Sequence, residues 1–171
     1  GHSGQVFEVF GKLLPMLAGI RDSEERTRTL DKFLEIVSRV PEFAKGHSGQ
    51  VFEVFGKLLP RLAGIRDSEE RMRMFDQFLE IVSRVPEFAK GYSSQAFGIF
   101  GALLKSQPVG SKSMFKMESD LRQILVHSKG TEKETLGAIG NLSPLLEKYP
   151  GSWGRLIKPV IWRHTVRAFL I

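Results

Sequence analysis

The sequence predicts an all-α fold: a right-handed α-solenoid of four stacked helix-turn-helix repeats, about eight helices, spanning residues 1–171 as one domain. Three observations carry that prediction. Residues 1–45 and 46–90 are one block of sequence written twice, differing only at Met16/Arg61, Thr27/Met72, Thr29/Met74, Leu30/Phe75 and Lys32/Gln77. Two worn copies follow, over 91–129 and 130–171. Within the block, apolar residues recur at the 3, 4, 7 spacing of amphipathic helices. A fixed period of this length belongs to units that cannot bury their apolar faces alone and stack to do so.

The first helix of the block is marked by Phe52, Phe55, Leu58, Leu59, Leu62 and Ile65, with Ser48 as its N-cap. Pro60 in its interior removes a backbone donor and presses on the carbonyl of Gly56, which predicts a kink. The same Gly/Pro pair recurs as Gly11/Pro15 and Gly140/Pro144. Asp67, three residues before Glu70, has the spacing of a capping box and opens the second helix, with Glu69 also in its acidic first turn. That helix buries Met74, Phe75, Phe78, Leu79, Ile81, Val82 and Val85, a stripe wide enough for more than one neighbour. Its polar face is Arg73, Asp76, Gln77, Glu80 and Arg84, with Glu80 and Arg84 at a favourable i, i+4 spacing. Pro86 ends it.

In the third copy Ser93, Gln95, Phe97, Phe100, Gly101, Leu103 and Leu104 lie 45 residues after Ser48, Gln50, Phe52, Phe55, Gly56, Leu58 and Leu59. Lys105 replaces the proline, so the first helix ends early, in a loop from Pro108 to Lys112. After one inserted residue the second helix resumes, with Leu121, Ile124 and Leu125 opposite Phe75, Phe78 and Leu79. In the fourth copy Leu136, Ile139, Gly140, Leu142, Pro144 and Leu146 match the second block at an offset of 84. Its first helix runs from about Thr131 to Lys148, a turn follows at Tyr149, Pro150 and Gly151, and a last helix, kinked at Pro159, runs from about Ser152 to the end.

Leu58, Leu59, Pro60 and Leu62 in one helix, Asp67 in the turn and Arg73 in the next helix together resemble the HEAT repeat, of the α-solenoid superfamily. Leu13, Leu14, Pro15, Leu17, Asp22 and Arg28 match equally in the first block. The third copy lacks the proline and the turn aspartate. The fourth keeps Leu142, Pro144 and Leu146 without the Asp/Arg pair. The resemblance implies a curved stack with the second helix of each pair on the concave side, and a role in holding partners.

Composition excludes several classes. With 42% hydrophobic and 26% charged residues the chain is not of disordered type. The absence of cysteine excludes a disulfide framework and a thiolate metal site, and fits a reducing, intracellular compartment, cytoplasmic or nuclear. No apolar run is long enough to span a membrane. The chain opens at Gly1 in phase with the block and without Met, which predicts a piece of something longer, arising by recent duplication or by deliberate copying of a repeat.

The expected function is non-catalytic. His2, His47, His127 and His164 form no metal-ligand pairs, and no glycine-rich phosphate loop is present. No catalytic, cofactor-binding or metal residues are therefore assigned, and Asp67 and Arg73 read as a cap and a ladder between units. The favoured reading is a scaffold for a protein or peptide partner, with Arg73, Gln77, Glu80 and Arg84 as candidate contacts.

The alternative is a nucleic-acid binder. The net charge of +6 lies wholly in residues 91–171, which carry eleven basic and five acidic side chains. From Lys148 onward Arg155, Lys158, Arg163 and Arg167 stand beside Trp153 and Trp162 with no acidic residue. Such a segment suits phosphates and bases, although tryptophans packed on the preceding helices, with the cations in water, is the favoured reading. Both ends are expected to support end-to-end self-association. Phe7, Phe10, Leu14 and Leu17 are interior-type residues in a terminal unit, softened only by Thr27 and Thr29, and the chain closes on Phe169, Leu170 and Ile171.

Overall fold

The computed structural model describes residues 3–106, 108, 110–148, 155 and 159. Among them the chain is all-α, with seven helices and no strand: α1 (Ser3–Gly19), α2 (Ser23–Phe43), α3 (Ser48–Leu62), α4 (Ser68–Phe88), α5 (Ser93–Ser106), α6 (Ser111–His127) and α7 (Glu132–Lys148). The eighth expected helix, from about Ser152, lies outside the described residues except for Arg155 and Pro159, which are helical, and the turn before it lies outside them too.

The helices form two rows. In one row α1 packs on α3, α3 on α5 and α5 on α7; in the other α2 packs on α4 and α4 on α6. The α1/α2, α3/α4 and α5/α6 pairs join the rows. The apolar pattern explains why α3 is central: Val51, Phe52, Val54, Phe55, Leu58, Leu59 and Leu62 are all buried, more than a one-sided amphipathic helix can hide. Rings line the space between the rows. Phe10, Phe33, Phe55, Phe78 and Phe100 follow one another from α1 to α5, with successive centroids 6.0, 5.5, 5.0 and 6.3 Å apart. Aromatic pairs at such separations stabilise beyond the area they bury.

Turns recur with the helices. Gly46 stands at φ 90°, and Gly91 and Gly130 at 86°, the left-handed region that favours glycine. The next N–H in each case folds back, from His47 to the Ala44 carbonyl (2.9 Å), Tyr92 to Ala89 (2.8 Å) and Thr131 to Ser128 (2.8 Å). The turns between α1 and α2 and between α3 and α4 end on aspartate caps, as expected. Asp22 Oδ1 accepts the Glu25 N–H (2.8 Å), and Asp67 Oδ1 accepts those of Glu69 (2.9 Å) and Glu70 (3.3 Å).

Several expectations need correction. Pro86 does not end its helix: α4 runs to Phe88, and α2 likewise passes Pro41 to Phe43. Both prolines sit in a last turn, where the missing N–H removes one bond and Ala44 and Ala89 still donate to Val40 and Val85. The N-cap of α3 is His47, not Ser48, which is buried as the first helical residue. Pro60 lies inside α3 as expected, two residues before its end, and Pro15 and Pro144 lie inside α1 and α7. Gly56 has a different neighbour as well. A Cβ there would lie 3.0 Å from Lys12 Nζ, and one at Gly101 would lie 3.0 Å from Lys57 Nζ, so each glycine gives room to the lysine of the preceding helix in its row. Thr29 does not soften an exposed end. It is fully buried, with its hydroxyl donating to the Glu25 carbonyl at 2.8 Å.

The register of α6 also differs from expectation. Its buried residues are Met114, Met117, Leu121 and Ile124, matching the buried Phe75, Phe78, Val82 and Val85 at an offset of 39; Leu125 is only partly buried. α6 is therefore shorter than α4 at its start, and Ser111 and Lys112 belong to it rather than to a loop.

Candidate functional site

The expected contact residues of the second block lie on α4, between α2 and α6. Ion pairs tie α2 to α4: Glu25 to Arg71 (2.8 Å), Arg28 to Glu69 (2.6 Å), Lys32 to Asp76 (2.5 Å) and, just beyond the helix ends, Lys45 to Glu87 (3.9 Å). Three of them run from a cation of the first block to a carboxylate of the second, one of these from Lys32 where the second block has Gln77, and Glu25 to Arg71 runs the other way.

Between α4 and α6 the pattern changes. Arg73, the counterpart of Arg28, stays on its own helix and pairs with Glu70 at 3.1 Å. The physical reason is the shortened start of α6, which brings no equivalent of Glu69. Gln77 is buried, not part of an exposed polar face. Its counterpart Lys32 reaches Asp76 on the next helix of the row, and Gln77 lies at helical spacing between the buried Met74 and Ile81. Among the described residues its Oε1 has no hydrogen-bond partner. Glu80 pairs with Arg84 as the spacing predicts. Arg84 also reaches across to Glu118 at 3.4 Å, and Glu118 in turn receives Arg122 at 2.9 Å. The guanidinium of Arg122 lies 4.2 Å from the centre of the Phe88 ring, a cation–π contact back to α4.

These side chains edge a groove of about 420 Å³ along α6, lined by Arg84, Phe115, Ser119, Arg122 and Val126 among others. Phe115 is 53% exposed and Val126 71%. They stand at i and i+11 on one stripe with Ser119 and Arg122, so the helix offers water an apolar strip flanked by guanidinium groups. Glu118, beneath the strip and nearly buried, holds both arginines in place. Such a surface can take an apolar side chain and a carboxylate together, because arginine forms paired bonds to carboxylates.

Of the residues expected to bind, the groove takes in Arg84. It leaves out Arg73 and Glu80 and excludes Gln77. Trp153, Lys158, Trp162, Arg163 and Arg167 lie outside the described residues, and Arg155 is exposed. Phe115, Arg122 and Val126 were not singled out from the sequence. The signal was present as apolar residues at positions that the second block fills with polar ones, Asp76 and Glu87 at an offset of 39 and Glu69 and Glu80 at an offset of 46.

Among the described residues no cluster of histidine, aspartate or glutamate is placed to hold a metal ion, and no helix is long and apolar enough to cross a membrane. No protein-family model matches the chain, and no curated protein or solved structure matches it.

Proposed function

We propose that the chain is a non-catalytic scaffold, a right-handed solenoid of four HEAT-like helix pairs, that holds a protein or peptide partner in the groove between α4 and α6. The carrying observation is the exposed strip of Phe115 and Val126 beside Arg84 and Arg122. Apolar side chains of that size left in water beside oriented guanidinium groups suit a peptide with apolar anchors and acidic neighbours. The ordered rows of helices and the glycine turns at Gly46, Gly91 and Gly130 support the repeat reading. The near identity of the first two blocks supports an origin by recent copying. A chain without cysteine is suited to a reducing, intracellular compartment.

The second reading, nucleic-acid binding through the basic C-terminal units, rests on the excess of cations in residues 91–171. Two measurements separate the readings. Selection from a random peptide library is expected to enrich sequences combining acidic and large apolar residues, with binding lost in Phe115→Asp. Titration with DNA and RNA at two salt concentrations is expected to show weak, unspecific binding. Tight binding with a steep salt dependence would reverse the order, and peptides that bind Phe115→Asp as well as the parent would remove the groove from the scaffold reading.

A further inference from the structure

The outward face of α1 and α2 carries the same residues as the face of α3 and α4 that meets them, in a different environment. Phe7, Phe10, Leu14 and Leu34 are 75, 36, 50 and 50% exposed, while Phe52, Phe55, Leu59 and Leu79 are 2, 0, 0 and 8% exposed. The second set lies under α1 and α2; the first has nothing over it among the described residues. Charges repeat the contrast. Glu69, Asp76 and Glu87 each pair with a cation of the first block, Arg28, Lys32 and Lys45. Their counterparts Glu24, Asp31 and Glu42 are exposed and form no ion pair among the described residues. Arg71 finds Glu25, whereas its counterpart Arg26 turns back to the Ile20 carbonyl at 2.7 Å.

This face therefore reads as one half of an interface whose other half is a surface with apolar side chains and three cations. Two such faces match each other less well than either matches a basic surface, because together they bring six carboxylates, Glu24, Asp31 and Glu42 of each copy, against two cations, Arg26 of each. The sequence of the same chain holds an excess of cations at its other end. The basic excess is confined to residues 91–171, Lys148 is exposed at the end of α7, and beyond it the sequence adds four basic and no acidic side chains.

We propose that the α1/α2 face is the docking surface for the basic C-terminal end of a second copy of this chain, so that copies add head to tail. A contact between two different surfaces leaves each added copy with a free face, and growth continues unless the geometry closes a ring. The proposal is independent of what the α4/α6 groove holds.

Sedimentation velocity on the full chain across a concentration series tests it. The mean mass is expected to rise with concentration past that of a dimer and to fall when salt is raised, since the paired charges are screened. Phe7→Asp is expected to weaken association by about tenfold or more, from the burial lost by one phenylalanine. Phe7 is already mostly in water in the single chain, so at concentrations where the parent is monomeric the variant keeps the parental thermal midpoint. Asp31→Lys, on an exposed position, is expected to weaken association too. A chain that stays monomeric throughout, one that stops at a dimer, or one in which Phe7→Asp and Asp31→Lys associate like the parent overturns the proposal.

Discussion

Two arginine–glutamate pairs join α2 to α4 and differ in their surroundings. Arg71 and Glu25 keep 5 and 24% of their side-chain surface in water, Arg28 and Glu69 54 and 67%. A charge stripped of its partner in the first setting stays uncompensated, and in the second it is solvated. Glu25→Gln is expected to cost about 3 kcal/mol, at the low end for a broken buried pair because Glu25 is partly wet. Glu69→Gln is expected to cost less than about 1 kcal/mol. Urea denaturation of the two variants measures the difference, and equal losses would contradict the burial argument. Of the local features, the aspartate caps were legible in the sequence because a cap depends on residues within one turn of itself. Arg71 was not, since nothing near it in sequence says that Glu25 lies beside it; the information is in the packing of one block on the other.

At the scale of the helix, Lys32 shows what a single difference between the blocks does. Its ammonium bonds Glu35 at 2.8 Å and Asp76 at 2.5 Å. Burial pulls its pKa down, and the bonds to Asp76 and Glu35 together more than offset that, leaving it raised. The hydrogen bond from Lys32 in turn holds the Glu35 carboxyl below its ordinary value. A depressed carboxyl adds stability above its unfolded pKa and loses it as pH falls; a raised ammonium adds stability below its unfolded pKa and loses it as pH rises. Lys32→Gln, the residue found at Gln77, should therefore lower stability by about 1 kcal/mol or less between those limits. The deficit should fade in acid below the glutamate range and in alkali above the lysine range. Thermal midpoints across pH measure it, and a deficit constant from acid to alkali would remove this cluster as its cause. Helix existence was legible from periodicity for α1 to α7, whereas the register of α6 was not. The offsets 46 and 39 differ by seven residues, two turns of helix, so both place apolar residues on one face. Only the burial of Met114 and Met117 decides between them.

For the whole molecule, the two rows of helices share one continuous apolar core, and the repeat reading predicts that its stability is a sum over neighbouring pairs. The ladder of rings from Phe10 to Phe100 continues because each pair supplies the ring that the next one covers. The surface that α1 and α2 offer to α3 and α4 recurs on the far side of α3 and α4, with Arg73 and Lys90 where Arg28 and Lys45 stand and Gln77 where Lys32 stands. A second copy of residues 46–90 inserted after Lys90 would then find its own receiving surface. Glu69 and Glu87 of the added copy would meet Arg73 and Lys90, and its Asp76 would meet Gln77, a hydrogen bond in place of an ion pair. The junction of the added copy with α5 and α6 would repeat the existing one. The expected result is a higher urea midpoint together with a steeper unfolding slope, because more surface is exposed in one cooperative step. If energy were instead concentrated in a core that the insertion interrupts, the midpoint would fall or the transition would split in two, and the nearest-neighbour account of this fold would be wrong.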